Sequence, residues 1–124
     1  NHDTYEKSFI GSEYIIPKLA MVDPELMVSL PKKLTAATAM DALAHSIESY
    51  INIGSNDCSE IFARESIAII GRYLPEAVAN GRDLEKREKI AWASTLAGIA
   101  INHVGTTLSH GMAHIFLCCA ICSK

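Results

Sequence analysis

Two histidines in this chain each follow a metal-capable side chain by one helical turn. Asp41 precedes His45 in the stretch DALAH, and His110 precedes His114 in HGMAH. On an α-helix, positions i and i+4 project from one face about one turn apart. Each pair would therefore present both of its groups in the same direction. A carboxylate oxygen combined with imidazole nitrogens suits a divalent first-row metal such as Fe²⁺ or Zn²⁺. Facing helices of a bundle are one way to gather such ligands around a single ion.

An Asp–His pair at this spacing also serves as an ordinary surface contact. The neighbouring residues weigh against that. Asp41 lies in ATAMDALAHSI, with no further charge until Glu48, and His110 and His114 lie in LSHGMAHIF, equally poor in charge. An aspartate on a helix that packs inward needs a partner or an ion. Spacing and surroundings leave a metal site and a pair of local polar contacts both open. His2, in a polar terminal stretch, and His103, beside a helix end, read as solvent-facing. The four cysteines are Cys58, Cys118, Cys119 and Cys122. The C-x-x-C at 119 and 122 has no second copy and is surrounded by Phe, Leu, Ala and Ile. It reads as core packing rather than zinc or redox chemistry, in a reducing, cytoplasmic compartment.

The pairs require helices, and the pattern supplies them. SFIGSEYIIPKLAMV (8–22) reads as two short extended segments, the second ending at the turn VDPEL (22–26). A helix is expected over 29–52, opening at Pro31, with Thr35 a fair N-cap and Leu43, Ile47, Tyr50 and Ile51 on its buried face. GSND (54–57) forms a loop. A second helix starts near Ser59, with Ile61, Phe62, Ile67, Ala68 and Ile70 inward, and kinks or restarts at Pro75. Asp83 caps a third helix that runs to about Ile101; LEKREK in its first half reads as a solvated charged face, and IAWASTLAGIAI in its second as apolar. Gly105 ends that run, and TTLSHGMAHIFLCCAI begins a fourth helix. The expected class is mainly α: a helical bundle with a short extended or β lead-in, divided into residues 1–28 and 29–124.

Composition narrows the function classes. With 124 residues, 49% hydrophobic and 20% charged, the chain is one small globular domain. A net charge of −3 with no Lys/Arg cluster argues against a nucleic-acid partner. The run IFLCCAIC (115–122) is too short to span a bilayer, so no membrane role is expected. The chain opens at Asn1 without methionine and stops inside an apolar stretch, so a piece of something longer is expected.

VDPELMVSLPKKLTAATAMDALAHSIESYI (22–51) closely resembles the iron-containing (group III, metal-dependent) alcohol dehydrogenase family. Its members show a V/I-D-P-x-L turn, then L-P, then a helix beginning T-A-A-T-x-x-D-A-L-x-H-x-I-E. LAGIAINHVGTTLSHGMAH (96–114) resembles the same family's later segment, in which a small-residue run leads into H-x-x-A-H. The resemblance implies the start of the C-terminal helical domain of a two-domain α/β plus all-α dehydrogenase. It implies Asp41, His45 and His110 as metal ligands. His114 would be a catalytic proton-relay or positioning group near the nicotinamide, and Lys7, Leu34 and His114 would line the cofactor site. The implied reaction is hydride transfer between a primary alcohol or aldehyde and NAD or NADP, assisted by Fe²⁺ or Zn²⁺, in a cytoplasmic homo-oligomer.

Two departures accompany the resemblance. The family places a fourth ligand, a histidine in a P-H-G turn, fourteen residues after the third; this chain has Lys124 there, preceded by IFLCCAICS in place of an L-G-G-like stretch. The nucleotide-binding half, with its G-G-G-S and T-x-x-G-T-G-S-E loops, is absent, so the 124 residues alone are expected to be inactive. The competing readings are a non-catalytic helical interaction module and a zinc-dependent, glycerol dehydrogenase-like enzyme.

Overall fold

Small side chains set the packing of this protein. The structure, a computed structural model, describes residues 12–112. Lys7, His114, Cys118, Cys119 and Cys122 lie outside the described residues. The chain divides into two units, Val22–Thr106 and a second drawn from Asn1–Met21 and Thr107–Lys124. The larger unit holds three helices, α1 (Lys32–Ile51), α2 (Asp57–Ala79) and α3 (Leu84–Val104), each packed against the other two. A single 3-10 turn, Pro24–Met27, leads into α1 and packs on α3. In the smaller unit, Glu13–Ile15 is a 3-10 turn and residues 108–112 are helical.

No strand occurs among the described residues. From residue 12 onward, the stretch expected to be extended is irregular chain around a 3-10 turn. Its β-branched residues favour extended backbone, but a strand also needs a paired neighbour to satisfy its amides. The mainly helical class stands.

Each helix boundary has a local cause. Pro31 precedes α1, where its missing N–H is harmless. Asn56 caps α2 through a reciprocal capping box with Ser59. Asp83 caps α3, accepting from the Lys86 amide at 3.2 Å. Thr35, expected as a cap, lies inside α1 with its hydroxyl donated back to Pro31 O at 3.1 Å. Pro75 neither ends nor restarts α2, which runs through it to Ala79. Gly105 ends α3 at φ 78, ψ −179, a backbone region that only glycine enters readily. Nothing lies near a Cβ built there, so backbone strain alone should make Gly105→Ala cost about 1–3 kcal/mol. The denaturant midpoint of the variant measures it.

Contacts fix the helix directions. Thr35 meets Arg87 near the starts of α1 and α3, and Asn52 meets the Gly105 carbonyl beyond their ends. Cys58, in the first turn of α2, meets His103 in the last turn of α3. So α1 and α3 run alongside each other and α2 runs opposite. Among the described residues, eight of the eleven buried apolar ones are alanines, which lets the three axes approach closely. The core gathers Ala42, Ile69, Ile70, Ala93, Leu96 and Ala97, with Leu43, Phe62, Tyr73 and Leu74 packed around it. A hydroxyl relay crosses it: Ser46 donates to Ser66 Oγ and Ser66 to the Ala93 carbonyl, each at 2.8 Å.

The buried faces are therefore rotated from the expected ones. On α1 the inward stripe is Thr35, Ala39, Ala42, Ser46 and Ser49, while Ile47, Tyr50 and Ile51 are exposed. On α2, Ser59, Ala63, Ser66, Ile69 and Ile70 face inward, whereas Ile61 and Ala68 are exposed. Period-based reading follows the largest apolar residues, whereas alanine and serine fill most of the buried positions between these helices. The charged run LEKREK likewise conceals one buried member, Arg87.

Candidate metal centre

On α1, Asp41 and His45 lie one turn apart with Asp41 Oδ2 3.8 Å from His45 Nδ1. The Asp41 side chain is 64% exposed and that of His45 28%. The pair thus sits beside the buried stripe rather than in it, contrary to the inward placement expected from its apolar neighbours. An exposed carboxylate keeps its hydration, so nothing forces this pair into the core. Leu34, half-exposed, precedes Asp41 by seven residues and His45 by eleven, two spacings that share a helix face. One side of α1 therefore carries an apolar residue near its start and the oxygen–nitrogen pair roughly 10 Å further along.

This donor pair suits a metal. The two atoms stand farther apart than a strong charge-assisted hydrogen bond. Two ligands each about 2.0–2.2 Å from one ion are separated by roughly 3–4 Å, which brackets the observed spacing. His110 lies in the helical residues 108–112 of the smaller unit and is partly buried.

His103 is exposed, as expected, and engages local groups: Nδ1 lies 2.7 Å from the Ile99 carbonyl, and its ring lies 6.3 Å from that of Phe62. A carbonyl only accepts, so Nδ1 carries the proton. Cys58 is exposed, not packed in a core, with its sulfur 3.9 Å from His103 Nε2.

One residue that supports α1 escaped the sequence reading. Arg87 is buried on α3, with its guanidinium directed at the start of α1. The available signal was phase: Arg87 stands four residues before buried Ala91, on the stripe that becomes the core.

The helical frame agrees with comparison to known proteins. Residues 35–117 match the model for the Fe-containing alcohol dehydrogenase family, C-terminal. The chain is 49% identical over 102 residues to an NAD-dependent methanol dehydrogenase of Bacillus methanolicus, covering 82% of this chain and 27% of that protein. It is 43% identical over 114 residues to a 1,3-propanediol dehydrogenase of Klebsiella pneumoniae, covering 92% of this chain and 30% of the relative. The crystal structure of a sulfoacetaldehyde reductase from Bifidobacterium kashiwanohense in complex with NAD+ superposes with a TM-score of 0.79 at 40% identity, covering 82% of this chain and 27% of that one. The chain belongs to the Fe-containing alcohol dehydrogenase family. It spans less than a third of the length of these relatives.

Proposed function

We propose that this chain is the metal-binding helical part of an NAD- or NADP-dependent alcohol dehydrogenase acting on a primary alcohol or its aldehyde. The observation that carries the reading is the Asp41–His45 pair on one face of α1, inside the segment that matches the family. Asp41, His45 and His110 hold a divalent ion, iron or zinc. Bound there, that ion supplies Lewis acidity toward an alcohol or carbonyl oxygen. The acid–base side of hydride transfer falls to this chain's imidazoles. His114, four residues after His110 in the sequence, exchanges a proton with solvent. Leu34 on α1 and Lys7 line the dinucleotide site, Leu34 as apolar surface and Lys7 as a hydrogen-bond donor.

Residues 1–28 link this part to a nucleotide-binding domain, and residues 29–124 contribute the metal-binding helices. Turnover requires a nucleotide-binding domain to present the cofactor to these helices. No helix among the described residues is long and apolar enough to cross a membrane. A cytoplasmic homo-oligomer completes the reading, with small molecules rather than nucleic acid as its partners.

Metal analysis tests it. After anaerobic supply of Fe²⁺ or Zn²⁺ and removal of the excess, the wild-type chain retains metal, and the Asp41→Ala and His45→Ala variants do not. Equal, negligible metal in all three would leave a helical interaction module in which the pair is a surface contact.

A further inference from the structure

The first turn of α1 is weakly held by its own residues. Its N-cap, Pro31, makes no side-chain cap bond to the free amides. Lys32 and Lys33 follow, two cations at the positive end of the helix dipole. Yet Leu34, Asp41 and His45 all ride on this helix, so the site requires its start to be fixed.

The hold comes from α3. Arg87 is 3% exposed, and its guanidinium reaches three separate segments. Nη1 donates to Thr35 Oγ1 at 2.7 Å, Nη2 to the Leu30 carbonyl at 3.1 Å, and Nε to the Gly81 carbonyl at 2.8 Å. Thr35 passes its own proton to Pro31 O. One cation thus grips the chain on both sides of the point where α1 begins. All three acceptors are neutral oxygens. Burying a guanidinium without a carboxylate is unfavourable, and an apolar side chain would give adhesion without that cost. What the planar fork gives is direction, which an ammonium cannot reproduce. The loop before α3 conforms to it: a Cβ on Gly81 would stand 2.7 Å from Nη2.

We propose that Arg87 is a positioning residue for the metal site, fixing the start of α1 and, through this helix, the aim of Asp41 and His45. The inference rests on the reading of that pair as ligands. Asp41 lies six residues beyond Thr35, about 9 Å along a rigid helix, so a tilt at the first turn is carried to the ligands.

Anaerobic calorimetry with Fe²⁺ on the full chain decides it. Arg87→Met is expected to weaken Fe²⁺ binding about tenfold, the lower end of what loss of support around metal ligands costs, while helical circular dichroism is retained. Arg87→Lys is expected not to restore affinity. Gly81→Ala, which crowds the guanidinium without removing it, is expected to weaken binding by a smaller factor. Asn56→Ala, which removes the N-cap of α2 and touches neither α1 nor Arg87, is expected to lower the melting temperature and leave affinity intact. Wild-type affinity in folded Arg87→Met overturns the proposal. So does an affinity loss in Asn56→Ala that matches Arg87→Met for the same drop in melting temperature. If Arg87→Met fails to fold, unchanged affinity in Gly81→Ala overturns it. Asp41→Ala separates the two levels: binding indifferent to Asp41 defeats the metal reading and this proposal together, whereas binding that needs Asp41 but not Arg87 defeats this proposal alone.

Discussion

Asp41→Asn leaves the metal-free melting temperature within a few degrees of wild type but removes most of the stabilisation that Fe²⁺ gives. Two magnitudes set this contrast. As a contact, an exposed carboxylate 3.8 Å from an imidazole one turn away is worth about 0.3–0.5 kcal/mol. That corresponds to a shift of roughly 1–4 °C in a domain of this size. As a ligand, the same carboxylate counts for far more. At a metal concentration about a hundred times the dissociation constant, binding stabilises the fold by about 2.7 kcal/mol. A variant that binds about a hundredfold more weakly keeps only about 0.4 kcal/mol at that concentration. Thermal melts with and without Fe²⁺ give both numbers from one pair of samples. A surface pair predicts no metal-dependent difference between wild type and Asp41→Asn. Melts that coincide in all four conditions would remove Asp41 from the site.

Ala93→Leu is the second large effect, and it runs against the usual ranking by side-chain size. Ala93 is fully buried, and its carbonyl accepts from Ser66 at 2.8 Å. Three added carbons have no room where the helices approach this closely. Overpacking should lower stability by about 2–3 kcal/mol, or roughly 10–20 °C. Ile61→Ala makes the comparison. Ile61 is 66% exposed, and alanine is the better helix former, so truncation there should cost under about 1 kcal/mol. Denaturant unfolding of the two variants checks the order. If Ile61→Ala is the more harmful, α2 is rotated from the orientation described.

The helices were legible because their ends carry strong local signals. Pro31, the GSND loop, Asp83 and Gly105 each act within a turn of their own position. Which face goes inward was legible only in part: Leu43, Phe62 and Ile70 meet the core as expected, but the small residues beside them were missed. Ile47 and Tyr50 look like core residues by hydropathy, yet Ala42, Ser46 and Ser49 occupy the interface because close helices exclude bulk. Thr35 was misread for a related reason. A threonine at a helix start is a good cap in isolation, and only a guanidinium arriving from 52 residues away gives it an interior role. Asp41 and His45 were legible through their spacing, a local property. Their exposure was not, because it depends on the rotation of α1 that bulk hydropathy mistook.

The relay through Ser46, Ser66 and Ala93 also has a direction. Ser66 spends its one proton on the Ala93 carbonyl and so can only accept from Ser46. Sliding α1 by a single residue would break the Ser46–Ser66 bond and leave the Ser46 proton to the Ala42 carbonyl of its own helix, 3.0 Å away. The bond is a register mark between α1 and α2: it forms at one setting of the two helices and is lost at the next.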